Sequence, residues 1–178
     1  APAGQIFLTS QAQSLDSATR DARIRAKLQV ALPMSDVVET GAAAAGFEEI
    51  EHTADRALCI RGRNLEELLV NAARGLLTIL NPVPSAGGRT ATRVIDLDAL
   101  DAEALLVNWL SELAFWAETE MLVFDRFDVE QVSPTHLRAV ARGGRADRLE
   151  RHVKAVTFHN LDIVQTPHGL TATVVFDV

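Results

Sequence analysis

Leu65, Leu68, Leu69, Ala72, Leu76, Leu77 and Leu80 recur at the three- and four-residue spacing of one helix face. Asn64 stands where an N-cap belongs, and Glu66 and Glu67 occupy the first turn, where the helix dipole favours negative charge. A stripe this regular has to be buried against another layer, so a helix here commits the rest of the chain to supplying one. A second stripe (Ala104, Leu105, Val107, Leu110, Leu113, Ala114, Ala117) follows a cap at Asp98 or Asp101 and runs to Thr119. Trp109, Phe115 and Trp116 add bulk at helical spacing and read as core or helix–sheet packing.

The segments around these helices read as strands. Residues 47–51 and 57–60 form two apolar runs on either side of a polar break that delivers Asp55. Residues 81–88, rich in Pro and Gly, predict a loop, and residues 89–97 a strand. Residues 122–132 and 136–142 predict a hairpin about Ser133-Pro134-Thr135, after which Gly143-Gly144-Arg145 reads as a break. A strand resumes over 154–158 and continues through 159–165, turns at Thr166-Pro167-His168-Gly169, and returns over 170–178. Two helices among many strands, without strict strand–helix alternation, predict an α+β fold. Its expected form is a mostly antiparallel sheet with two helices packed on one face.

Of the 178 residues, 48% are hydrophobic, ample for a core. Residues 47–178 carry the periodic elements and are expected to be the domain. Residues 1–46 form an N-terminal extension in which residues 1–33 look foreign to the rest. Met34 is read as the natural start, residues 1–33 as an artefact of upstream translation or cloning, and residues 34–46, with Gly41-Ala42-Ala43-Ala44-Ala45-Gly46, as a flexible lead-in. The net charge of −7 belongs wholly to the part after residue 46, because four bases offset four acids before it. An acidic domain poor in aromatics is unsuited to gripping a phosphate backbone, so direct nucleic-acid binding is expected to be weak; a basic protein surface or a cation suits it better. With one cysteine, Cys59, no internal disulfide or multi-cysteine zinc cage can form. No apolar run approaches bilayer length and no secretory pattern opens the chain, so a cytoplasmic protein is expected.

Asp55 at a strand end fits a turn, a cap or a metal ligand. The final run Val174-Val175-Phe176-Asp177-Val178 places one acid beside the terminal carboxylate. If the first and last strands are neighbours, Asp55, Asp177 and the carboxylate of Val178 converge as oxygen ligands for a hard cation, calcium or magnesium rather than zinc. Lys154 either snorkels to water at a sheet edge or faces a carboxylate or a partner's phosphate. His52 and His159 each close a strand-like run beside polar residues and are kept as supporting candidates, structural or acid–base. No Walker or dinucleotide pattern and no nucleophile elbow occurs in the sequence.

Phe47-Glu48-Glu49-Ile50-Glu51-His52-Thr53-Ala54-Asp55, then Leu65-Glu66-Glu67-Leu68 and Asn71-Ala72-Ala73-Arg74-Gly75-Leu76, resembles the opening of the archease family. Glu103-Ala104-Leu105-Leu106-Val107-Asn108-Trp109-Leu110-Ser111-Glu112-Leu113 is similar to that family's second helix, and Lys154-Ala155-Val156-Thr157-Phe158-His159-Asn160-Leu161 with Phe176-Asp177-Val178 completes the likeness. It covers residues 47–178, departing at Phe158, where a tyrosine is usual, and at Arg56-Ala57. The resemblance implies a small α+β protein that is not an enzyme. It implies a partner, the tRNA-splicing RNA ligase that joins 2′,3′-cyclic phosphate or 3′-phosphate ends to 5′-hydroxyl ends. The role implied is to promote guanylylation of that ligase and its multiple turnover. It further implies that Asp55, Asp177 and Val178 bind a divalent cation, calcium in family structures, and that Lys154 matches a lysine needed for ligase activation. Two other functions stay open: a general chaperone or modulator of RNA-modifying methyltransferases, and a metal-dependent phosphoester hydrolase built on Asp55 and Asp177.

Overall fold

Asn64 caps the first helix as its position predicts: its side chain accepts a hydrogen bond of 2.9 Å from the Glu67 N–H. The helix, α1 (Leu65–Leu80), ends at Asn81, whose left-handed backbone (φ 43°) returns its N–H to the Leu77 carbonyl. The second, α2 (Ala102–Glu120), is capped by Asp101, not Asp98, through a 2.7 Å bond from the Ala104 N–H. It stops at Met121, again left-handed. The structure is a computed structural model and describes residues 46–51, 55–87, 90–158 and 161–178, without the side chains of Ile50, Glu51 and Asp55. The expectations for residues 1–45, and those for His52 and His159, lie outside the described residues.

Among the described residues nine strands divide between two antiparallel sheets. The first holds β1 (Gly46–Glu51), β2 (Asp55–Gly62), β7 (Ala155–Thr157), β8 (Val164–Thr166) and β9 (Gly169–Asp177). β9 lies inside it, pairing with β2 and also with β7 and β8. The second holds β3 (Pro82–Pro84), β4 (Thr90–Asp98), β5 (Leu122–Ser133) and β6 (His136–Leu149), with β6 paired to the other three. α1 packs on β1 and β2 and reaches β5, whereas α2 packs on β4, β5 and β6 and reaches β7. The helix pair is therefore shared by both sheets, and one apolar cluster runs through them, from Leu58, Val174 and Phe176 to Leu137, Ala139 and Phe124.

Two contacts fix the helices in place. Trp109, fully buried, donates from Nε1 to the Leu69 carbonyl at 2.9 Å, so the largest core side chain leaves no polar atom unpaired and ties α2 to α1. At Gly75 a Cβ would come within 2.6 Å of Leu58 Cδ1, so the absence of a side chain there sets how closely α1 lies on β2.

Four sequence expectations are corrected. The strand read over 154–165 is two short strands, β7 and β8, with residues 158 and 161–163 in neither. Gly143-Gly144-Arg145 does not break the chain: β6 runs through it because both its edges are held there, by Ala91 and Thr90 of β4 and by Phe124 and Val123 of β5. Glycine is what admits the close approach, since a Cβ at Gly143 would collide with the Val123 carbonyl. The loop after α1 contains a short strand, β3, whose two prolines are tolerated at its ends as it pairs with the last residues of β6. Phe115 is not core: it is 56% exposed, on the outward side of a helix whose neighbours Trp109 and Trp116 pack edge-to-face on Phe127 and Phe124.

Candidate functional site

The alternation of β9 sends Ala172, Val174 and Phe176 into the core and leaves Asp177 at the surface, with 53% of its side chain exposed. β2 runs antiparallel beside it in a register that makes Leu58 the partner of Val174 and Asp55 the partner of Asp177. The neighbour of the last strand is thus the second strand, β2, and not the first, β1, which pairs with β2; the two acids singled out in the sequence occupy opposed positions at one end of the β2–β9 pair. The side chain of Asp55 lies outside the described residues.

On the other side of β9, Ala155 is also a register partner of Asp177. The residue before it, Lys154, donates its backbone N–H to the Asp177 carbonyl at 2.8 Å. Its side chain turns the same way: Nζ donates to the main-chain oxygen of Val178 at 2.9 Å and lies 4.0 Å from Asp177 Oδ1. This geometry combines both readings of Lys154 in the sequence: the side chain reaches solvent at a sheet edge and faces the Asp177 carboxylate. The Lys154 side chain stays 68% exposed, so the pairing is weak and solvent-screened.

Glu118 of α2 holds this lysine's approach. Its Oε1 accepts the Val153 N–H at 2.8 Å and its Oε2 lies 2.7 Å from His152 Nδ1, which clamps the backbone one residue ahead of Lys154. Nothing in the spacing of Glu118 and Lys154 signals this link, which depends on the crossing of α2 and β7. The structure therefore brings together Lys154, Asp177 and Val178, with Asp55 opposite in register, while His52 and His159 remain outside the described residues.

Chemically, the strand end offers oxygen. The Asp177 carboxylate and the oxygen of Val178 are hard donors, as is the carboxylate residue Asp55 in register with them, and no nitrogen or sulfur donor is part of the set. Among the described residues no three His, Cys, Asp or Glu side chains converge on a metal position. The donor chemistry fits a calcium- or magnesium-like ion, and Lys154 supplies one positive charge against these oxygens.

Beside the cluster a cleft of about 550 Å³ opens between α2 and the segment running from Val153 to Val156, with Lys154 at its margin. Sequence reading gives no hint of it, because its walls come from β4 (Leu97), α2 and the residues of and before β7, far apart in the chain.

Comparison with known proteins places this architecture. A family model described as the archease protein family (MTH1598/TM1083) matches residues 47–178. The chain is 35% identical to the protein archease of Methanosarcina acetivorans over 140 residues, covering 74% of this chain and 95% of that protein. It is 33% identical to the protein archease of Methanothermobacter thermautotrophicus, covering 75% and 99% of the two chains. Among solved structures it is similar to Methanobacterium thermoautotrophicum protein 1598 (TM-score 0.60, 32% identity, 75% of this chain and 99% of that one). It is also similar to a Thermotoga maritima archease described as a possible chaperone (TM-score 0.56, 25% identity, 74% and 96% covered).

Proposed function

The chain belongs to the archease family, and from that premise we propose that it is a protein cofactor of the tRNA-splicing RNA ligase. It is not itself an enzyme; it promotes guanylylation of the ligase and restores the ligase for further turnovers. The observation that carries this reading is the end of the β2–β9 pair, where the register of Asp55 with Asp177 and the bond from Lys154 to Val178 gather opposite charges at an exposed surface. Fold alone would not carry it, since one fold hosts many functions.

In this reading Asp55, Asp177 and the main-chain oxygen of Val178 hold a divalent cation, calcium by preference. When bound, that ion supplies a fixed positive charge at the strand end. Lys154 projects its ammonium from the same place. Presented to the ligase's nucleotide site, it neutralises phosphate charge as the guanylyl group transfers, the kind of electrostatic help that dominates such steps. Asp177 and Val178 keep that ammonium aimed, and Glu118 keeps the backbone behind it in position. The acidic balance of the chain, −7, suits docking on a basic protein surface. Among the described residues no helix is long and apolar enough to cross a membrane.

A second reading, a general chaperone or a modulator of RNA-modifying methyltransferases, draws support from the Thermotoga relative's description as a possible chaperone. One experiment separates the ligase reading from that of a metal-dependent hydrolase. The purified chain is assayed alone for phosphoester hydrolysis and then mixed with the ligase, GTP and divalent cation while ligase guanylylation is followed. No turnover alone and stimulation in the mixture is expected. Hydrolysis by the isolated chain, lost in Asp55→Asn, would instead identify a metal-dependent hydrolase.

A further inference from the structure

β7 ends its sheet: among the described residues it pairs with β9 and with no other strand. The cleft beside it is walled on this side by Val153, Lys154, Ala155 and Val156, of which the last two belong to β7. Side chains of a strand alternate between its faces, so a cleft that borders both Ala155 and Val156 lies along the edge of β7. An edge of this kind presents backbone N–H and C=O groups ready to pair with another strand.

The opposite wall, from α2, states what that strand should carry. Phe115, 56% exposed, offers an aromatic face that the described residues leave more than half uncovered. Glu112, half-buried in the same wall, has no ion-pair or hydrogen-bond partner among the described residues. The cleft's other acid, Glu118, is already committed to His152 and the Val153 N–H. A half-buried carboxylate without a cation, next to an exposed aromatic ring and an open strand edge, is complementary to an extended peptide bearing a lysine or arginine beside an apolar residue. Two acids in the cleft disfavour a nucleic-acid strand in that place.

We propose that the cleft between α2 and β7 receives such a segment of the ligase, which adds to β7 as a further strand. Its cationic side chain pairs with Glu112 and its apolar side chain covers Phe115. The inference rests on the ligase reading above and gives that reading its docking mode. A strand laid along β7 runs past Lys154, so docking and the presentation of the ammonium share one residue.

The test measures amide hydrogen exchange of β7 with and without saturating full-length ligase, together with ligase affinity for the wild-type chain, Ser111→Arg and Glu112→Gln. Ser111 lies in the same wall and is exposed, so an arginine there fills the cleft with bulk and with charge of the partner's own sign. Glu112→Gln preserves shape and removes only the charge. In the wild-type complex the β7 amides are expected to exchange at least roughly tenfold more slowly. Ser111→Arg is expected to weaken ligase binding at least about tenfold and Glu112→Gln about fivefold, with calcium affinity and Tm unchanged. Unaltered β7 exchange in a complex that forms and still stimulates the ligase overturns this docking mode alone. So does wild-type affinity in both variants, or competition for the cleft by a single-stranded RNA oligonucleotide. A wild-type chain that neither binds nor stimulates the ligase overturns the ligase reading and this inference with it.

Discussion

Glu67 closes the first turn of α1 from both directions. Its N–H is given to the Asn64 side chain, and its Oε2 accepts the Arg63 N–H at 2.7 Å and the Arg63 guanidinium at 2.9 Å. The result is a variant of the capping box, in which the reciprocal bond goes one residue further back. Those bonds to Arg63 hold the Glu67 carboxyl below its ordinary range. A carboxylate whose pKa falls on folding adds stability that is fully present above its unfolded value and is lost as pH drops through the folded one. Glu67→Gln is therefore expected to lower Tm at pH 7, and the gap to the wild type should close as pH falls below about 4. Thermal scans of both proteins between pH 7 and 3 check this, and a gap independent of pH would assign the loss to something other than the charge. The Asn64 cap and the acids after it were legible in sequence because capping is local. The exposure of Phe115 was not, because helical spacing puts a residue on a face without saying whether anything covers it.

The β2–β9 pair is the element on which the proposed site depends. Its register follows from side-chain alternation: Leu58 and Ile60 must meet Val174 and Ala172 in the core, and that alignment carries Asp55 to Asp177. A slip of one residue would turn either strand's apolar set outward, so the acids are held opposite each other by the core and not by their own attraction. Sequence could show each acid at a strand end, but pairing of the first strands with the last is a matter of topology. Asp177 is exposed and lies outside the core cluster, so Asp177→Asn is expected to leave the Tm of the calcium-free protein unchanged. If the acid is a ligand, the same change should lower calcium affinity at least roughly tenfold by calorimetry. Undiminished affinity would remove Asp177 from the proposed set. β6 shows the opposite limit of legibility. Gly143-Gly144 has the composition of a turn, and only strands arriving on both sides, β4 and β5, make it the middle of a long strand.

Across the whole molecule the α+β class was readable from two apolar stripes set among alternating segments. The division of the strands into two sheets, with one helix pair between their needs, was not. It arises because α1 and α2 each touch strands of both sheets, a long-range arrangement that no local pattern encodes. This arrangement matters for function, since α2 carries Glu118 to the backbone at Val153 and so connects a helix of the core to the lysine at the surface. The central proposal is that the surface cluster activates a ligase through Lys154 while acids in register hold a cation. A time course of ligase guanylylation with the wild-type chain, Lys154→Met and Asp55→Asn tests it most directly. Lys154→Met keeps most of the side chain's apolar length and removes its charge; it is expected to slow activation roughly a hundredfold without loss of calcium binding or fold. Asp55→Asn is expected to lose both calcium affinity and stimulation. Equal stimulation by all three proteins would contradict the proposal and leave family membership as evidence of fold alone.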